Sequence, residues 1–94
     1  EFTVFVPNAF TPNHDGTNEG FNVKGWYIDY VVMDIFNRWG DLVFHSEGRN
    51  NDDWIGSVLH QSKQAPEGVY VYDIKVTDVW GKKHQKLGMV NLVR

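Results

Sequence analysis

The stretch that decides the fold is Gly68-Val-Tyr-Val-Tyr-Asp-Ile-Lys-Val-Thr-Asp78, the cleanest alternation of side chains in the sequence. Successive side chains of a β-strand point to opposite faces, so one face of this run would be apolar: Tyr70, Tyr72, Ile74 and Val76. The opposite face would carry Asp73, Lys75 and Thr77. The pattern predicts a strand with one face on a hydrophobic core and the other toward water.

A second long run, Ile28-Asp-Tyr-Val-Val-Met-Asp-Ile-Phe36, is rich in the β-branched and aromatic residues that favour strands. We expect Ile28–Phe36 and Val69–Thr77 to be central strands. Asn37-Arg-Trp-Gly-Asp41 follows, and Gly40 can take the left-handed conformation of a short hairpin loop. Trp39 and Gly40 should therefore lie at a hairpin tip, from which Leu42–His45 returns antiparallel.

Shorter apolar runs supply further strands at Phe2–Val6, Phe21–Val23 and His84–Val93, the last with a bulge at Gly88. The polar stretch 46–66 would hold one short strand and irregular chain. No segment keeps a helical period over a useful length. About seven short strands separated by turn residues predict an all-β, immunoglobulin-like antiparallel β-sandwich, formed as one domain by residues 1–94.

Composition narrows the functional classes. The net charge of −3 is too small to imply a polyanionic partner such as nucleic acid, and there is no cysteine for a disulfide or a thiolate site. No apolar run is long enough to predict a transmembrane segment. Phosphate-binding loops and nucleophile motifs are absent, so we expect no enzyme activity. The sequence begins inside an apolar run without Met, and we interpret it as part of a larger protein.

The loop before Phe21 has half of the pattern that a calcium-binding loop needs. Asn-x-Asp-Gly places side-chain oxygens on alternate residues before a glycine that turns the chain. The predicted ligands surround Gly16: Asn13, Asp15, Thr17 through its carbonyl, Asn18 and Glu19. The match to an EF-hand loop is partial, because Thr11 replaces Asp at the first position and Asn22 replaces Glu at the twelfth. A series of Asx turns around Gly16, without metal, is the alternative.

Tryptophan and lysine suggest two further features. Trp26, Trp39, Trp54 and Trp80 lie near predicted strand ends. We expect them to plug the ends of the sandwich, although exposed indoles there could instead stack on sugars. The C-terminal part of the chain is basic, and four cations form a possible docking surface: Lys82, Lys83, Lys86 and Arg94.

Four segments, in chain order, also carry a resemblance. They are Phe10-Thr-Pro-Asn-His-Asp-Gly-Thr-Asn-Glu-Gly-Phe21, Ile35-Phe-Asn-Arg-Trp-Gly-Asp-Leu-Val-Phe44, Pro66-Glu-Gly-Val-Tyr-Val-Tyr72 and Gly88-Met-Val-Asn-Leu-Val-Arg94. Together they resemble the gliding-motility-associated C-terminal domain of Bacteroidetes-type bacteria, also known as the type B C-terminal domain of the type IX secretion system. Three residues depart from the family pattern: His14, Glu19 and Ile55.

The resemblance implies an immunoglobulin-like fold and a non-catalytic role as a folded secretion signal. Its partners would be the type IX outer-membrane machinery and a covalently linked N-terminal cargo. The cargo would cross the periplasm and reach the cell surface or the medium. The resemblance also marks one turn as a family hallmark: Asn37, Arg38, Trp39 and Gly40. The alternative is a calcium-stabilised carbohydrate- or cell-surface-binding module, since sandwiches host both functions.

If the loop binds Ca²⁺, two charged ligands predict a weak site with a Kd on the order of 10⁻⁴ to 10⁻³ M. Calcium at about 100-fold above Kd would then add roughly 2.7 kcal/mol to the free energy of unfolding. Asp15→Ala should abolish the calcium dependence of the melting temperature, and His14→Ala should keep it. An unchanged melting temperature of the wild-type domain in EDTA would show that the loop is a turn without metal.

Overall fold

The computed structural model describes residues 3–12, 20–58 and 64–94. These residues form strands and no helix, which confirms the all-β prediction. Seven strands are present in the described ranges: β1 (Thr3–Phe5), β2 (Ala9–Phe10), β3 (Lys24–Trp26), β4 (Ile28–Phe36), β5 (Leu42–Gly48), β6 (Gly68–Asp78) and β7 (Lys83–Leu92).

The strands form two sheets in a sandwich-like arrangement. The larger has the order β2-β7-β6-β4-β5, and the smaller pairs β1 with β3. Strands β4 and β6 are central, as predicted, and pair antiparallel from Ile28 with Asp78 to Phe36 with Val71. One pairing departs from the antiparallel prediction, because β2 runs parallel to β7. Pro7 and Pro12, which cannot donate to a ladder, bracket β2 and keep it to two residues.

The predicted inward faces of the central strands form the core. Met33 and Ile35 of β4 and Ile74 of β6 are completely buried, and Val90 and Leu92 of β7 extend the same layer. Because the second sheet has only two strands of three residues, it cannot cover this face alone. The remaining cover comes from chain outside the sheets.

Trp54 is the main side chain of that cover. It is completely buried, with its ring centroid 5.1 Å from that of Phe10 and 5.0 Å from that of Tyr70. The backbones of Trp54 and Phe21 exchange two hydrogen bonds of 2.9 and 2.8 Å, and the indole N–H donates to the carbonyl of Ser57 at 2.8 Å. This cluster closes the sandwich over β6 and β7.

Two strand predictions were wrong. Phe21 forms only a single bridge to Trp54, and the strand lies later, at Lys24–Trp26. Asn22 interrupts the ladder because its side chain bonds the Val23 amide at 2.8 Å and the Asp53 carboxylate at 2.9 Å. The expected short strand within 46–66 is also missing from the described part of that stretch, where β5 runs on to Gly48 and two isolated bridges follow.

Gly88 does not form a bulge, because β6 and β7 pair without a register shift from Gly68–Leu92 to Thr77–Lys83. Gly88 pairs with Tyr72, whose ring lies over the glycine, and a Cβ at position 88 would stand 2.6 Å from Cζ of Tyr72. The bulges lie in β4 instead, between Ile35 and Phe36 and between Ile28 and Tyr30. A side chain at position 88 would therefore displace the Tyr72 ring.

Gly88→Ala should destabilise the domain by about 1–3 kcal/mol, because the Tyr72 ring must leave its site against Phe21. In a Tyr72→Ala background the same substitution should cost less than about 0.5 kcal/mol. Urea unfolding of the wild type, the two single variants and the double variant gives the coupling free energy between positions 72 and 88. An equal cost of Gly88→Ala in both backgrounds would contradict the space requirement.

Candidate functional site

The Asn-Arg-Trp-Gly turn connects β4 to β5, and two of its residues build it. The side-chain oxygen of Asn37 accepts hydrogen bonds from the amides of Trp39 and Asp41 at 3.0 and 2.9 Å. Gly40 has a φ of 85° and donates to the Asn37 carbonyl at 3.0 Å. The predicted hairpin tip is confirmed. Arg38 and Trp39, by contrast, are exposed, and the Arg38 guanidinium lies 4.4 Å from the Trp39 ring centroid.

A cleft of about 390 Å³ opens beside this turn. Its volume falls within the usual range of ligand sites. Arg38, Trp39 and Glu67 bring polar and aromatic groups to a wall that is otherwise largely apolar. The lining residues come from three parts of the chain: Asn37, Arg38, Trp39, Val43, Val58, Ala65, Pro66, Glu67, Gly68, Val69 and Tyr70.

Hydrogen bonds fix the wall formed by residues 65–70. The Tyr70 hydroxyl donates to the Pro66 carbonyl at 2.6 Å, and burial raises the pKa of this phenol. The Arg94 guanidinium donates to the carbonyls of Ala65 and Gly56 at 2.7 and 3.0 Å. The Arg94 amide donates to the Glu67 carboxylate at 3.0 Å. These hydrogen bonds of Arg94 therefore hold residues 65–67 of the cleft wall against the end of β7.

The four cations of the predicted docking surface do not lie together. Lys82 and Lys83 are at the hairpin that joins β6 to β7, whereas Arg94 follows the opposite end of β7, a ten-residue strand. A strand of that length spans roughly 30 Å. Lys83 and Lys86 project to opposite faces, because they are three positions apart in β7 and side chains alternate along a strand. These residues do not form one patch.

The prediction that tryptophans plug the sandwich ends was wrong for three of the four. Only Trp54 is buried, while Trp26, Trp39 and Trp80 are more than half exposed. Trp39 lies at the turn beside the cleft. Trp26 and Trp80 lie at the other end of β4 and β6, where Ile28 pairs with Asp78. Sequence position near a strand end did not separate the buried ring from the exposed ones.

The predicted calcium loop lies outside the described residues: Asn13, Asp15, Gly16, Thr17, Asn18 and Glu19. Calcium binding there stays a prediction. Across residues 3–12, 20–58 and 64–94, no group of three or more His, Cys, Asp or Glu is placed to hold a metal ion. The same residues contain no helix long and apolar enough to cross a membrane.

On the solvent face of the larger sheet, His45 lies between two carboxylates. Its Nδ1 is 2.5 Å from Asp34 and its Nε2 is 3.1 Å from Glu47. Hydrogen bonds to Asp34 and then to Glu47 raise the pKa of His45, while hydrogen bonds from Tyr30 and His45 lower the pKa of Glu47. Sequence analysis did not find this cluster, because its members lie on separate strands.

Because the folded state raises the pKa of His45, its stabilising effect is complete below its ordinary pKa of about 6.5 and disappears as pH rises through the folded value. Because the His45 side chain is partly exposed, the decrease in the free energy of unfolding over this pH range should be at most about 1 kcal/mol. His45→Gln should remove this decline in the free energy of unfolding, measured by urea titration from mildly acidic to mildly alkaline pH. A decline of equal size in the variant would contradict the assignment.

Comparison with known families identifies the chain. The CHU_C type IX secretion signal domain matches residues 4–92, nearly the whole chain. The chain matches no curated protein and no solved structure. Domains of this family are sorting signals rather than enzymes, which implies interaction with the secretion machinery and use of its outer-membrane pathway. The resemblance of the four sequence segments is confirmed, and the chain belongs to the type IX secretion signal domain family.

Proposed function

We propose that this domain is a folded export signal that the type IX outer-membrane machinery reads through the cleft beside the Asn-Arg-Trp-Gly turn. It directs a covalently linked N-terminal cargo through the periplasm to the cell surface or the medium. The observation that carries the proposal is that different residues of the turn have different roles. Asn37 and Gly40 form its backbone, while the side chains of Arg38 and Trp39 remain exposed beside the cleft.

The composition of the cleft supports recognition by a protein. Exposed Trp and Arg are the side chains most often responsible for binding energy at protein interfaces. Here the Arg38 guanidinium carbon lies 4.4 Å from the centroid of the Trp39 ring. Beside them lies the apolar wall of Val43, Val58 and Pro66, which could accept an apolar side chain of the partner.

The construction of the cleft also explains why a folded domain would be needed. Its walls come from the β4–β5 turn, from residue 58 and from residues 65–70, so no single peptide contains them. Arg94 joins the last wall to the C-terminal end of β7. Unfolding would therefore disperse the recognised surface, and truncation before Arg94 would release one of its walls.

Export of a reporter protein tests the proposal. The reporter, fused before this chain and carrying a signal for entry into the periplasm, should reach the medium only in cells with a working type IX system. Trp39→Ala should reduce export at least about tenfold, the loss expected for a recognition residue worth more than about 1.4 kcal/mol. Its melting temperature should stay near that of the wild type, because the ring is exposed.

Leu87→Ala is the matched control, since Leu87 is equally exposed but lies on β7 away from the cleft. It should be exported like the wild type. The variant with Lys82, Lys83 and Lys86 all changed to Gln examines the basic residues in the same assay. Export that persists with Trp39→Ala and fails with the lysine variant would place recognition at one or more of these three lysines instead of the cleft. Export without the type IX system would contradict the sorting function.

The alternative function as a carbohydrate-binding module has less support from the geometry. Sugar rings stack on flat aromatic surfaces, and the only exposed aromatic pair in contact among the described residues is Tyr27 with Trp80. Their ring planes are inclined by 45°. The pair therefore offers no common plane to a pyranose.

A further inference from the structure

The end of the domain opposite the cleft carries an exposed apolar cluster, the aromatic tip, formed by Trp26, Tyr27, Val79 and Trp80. The exposed fractions of these side chains are 71%, 50%, 53% and 64%. Trp26 ends β3 and Tyr27 precedes β4, while Val79 and Trp80 begin the turn between β6 and β7. None of the four belongs to the core. Exposed apolar clusters of this kind commonly mark interaction surfaces.

Contacts join Tyr27 to the turn between β6 and β7, although the side chains of the aromatic tip face solvent. Tyr27 has a φ of 66°, a left-handed conformation that is rare for a bulky residue. Its carbonyl accepts a hydrogen bond from the Val79 amide at 2.9 Å, and its ring centroid lies 5.2 Å from that of Trp80. Glycine would satisfy this backbone without strain, so the fold alone does not explain an exposed tyrosine here.

Asp78 fixes the hairpin side of the tip. The residue is only 3% exposed, and its carboxylate accepts hydrogen bonds from the amides of Trp80 and Lys82, both at 2.9 Å. Nε2 of His84 lies 2.9 Å from the other carboxylate oxygen. The hydrogen bond with His84 is the main reason that the pKa of Asp78 is lowered, and the two amides add to it. The turn is therefore organised before any partner arrives.

Three exposed lysines lie within three residues of the aromatic tip along the chain and form its basic rim: Lys24, Lys82 and Lys83. Lys24 lies two residues before Trp26 in β3 and so shares its face. In the part of the chain that the structure describes, no ion pair joins the basic rim to an acid, whereas the nearby Asp29 is paired with Arg49 at 3.1 Å. The whole chain carries −3, so this concentration of positive charge is local.

Aromatic rings beside lysines match the chemistry of a lipid interface. Trp and Tyr are favoured at the depth of lipid headgroups, because one part of each ring system is apolar and another can bond to water. Lysine extends its charge to the phosphates while its stem stays on apolar surface. Val79 adds an exposed aliphatic group, which suits the acyl boundary better than the face of a sugar.

We propose that the aromatic tip binds the surface of an anionic lipid bilayer. The two indoles lie at headgroup depth, the basic rim contacts the phosphates, and the domain rests on the membrane without crossing it. This orientation turns the cleft, at the other end of β4 and β6, away from the lipid. Membrane binding does not depend on the proposed export function, since it requires only the domain and the bilayer.

Cosedimentation of the purified chain with vesicles tests this proposal. Vesicles of equal parts phosphatidylcholine and phosphatidylglycerol should bind the wild type, and binding should weaken as salt is raised. The double variant Trp26→Ala/Trp80→Ala should lose roughly tenfold or more in partitioning. Trp39→Ala is the matched control, because Trp39 is 72% exposed at the opposite end, and it should bind like the wild type.

A second variant keeps the test independent of any effect of the aromatic changes on folding. Lys24→Gln/Lys82→Gln/Lys83→Gln leaves every ring in place and should lose roughly tenfold or more on the anionic vesicles at low salt. Wild-type chain that binds no anionic vesicle, or Trp39→Ala that loses as much as the double variant, would overturn the proposal. Binding of soluble cellohexaose that requires Trp26 and Trp80, without vesicle binding, would assign the tip to a glycan instead.

Discussion

The structure depends on burial of the Trp54 indole. The larger sheet presents a continuous apolar face, and the second sheet consists of two three-residue strands that cannot cover it. Trp54 covers much of the remainder, together with Phe10 and Phe21. The Phe10 ring centroid lies 5.1 Å from that of Trp54 and 6.0 Å from that of Phe21. Large buried aromatic side chains of this kind are typically worth about 3–5 kcal/mol when truncated to alanine, a large part of the stability of a small domain.

This arrangement leaves the two ends of the larger sheet free for recognition. Strands β4 and β6 pair from Ile28 with Asp78 to Phe36 with Val71, and they carry the Asn-Arg-Trp-Gly cleft at one end and the aromatic tip at the other. Each end is organised by a short polar side chain that bonds two backbone amides: Asn37 at the cleft and Asp78 at the tip. The exposed Trp39 and Trp80 are therefore held in place by turns rather than by the core.

The sequence predicted the larger sheet better than it predicted the part of the chain that covers the apolar face of that sheet. Alternation in Ile28–Phe36 and in Val69–Thr77 was sufficient because one face of each strand must be buried, and both became central strands. Gly88 was misread as a bulge because its requirement for space arises from Tyr72 on the neighbouring strand. Arg94 was assigned to a docking surface, but its guanidinium bonds carbonyls that are 29 and 38 residues away in the chain. Such contacts leave no local pattern.

The role of Trp54 can be measured directly by native-state hydrogen exchange. The indole N–H and the backbone amides of Phe21 and Trp54 all donate within the cluster, at 2.8 to 2.9 Å. If the cluster closes the sandwich, these three protons should exchange only through global unfolding, with the same protection as the Ile74 amide in the centre of β6. Much faster exchange of the three protons, with Ile74 still protected, would show that the sheet is stable without its aromatic cover.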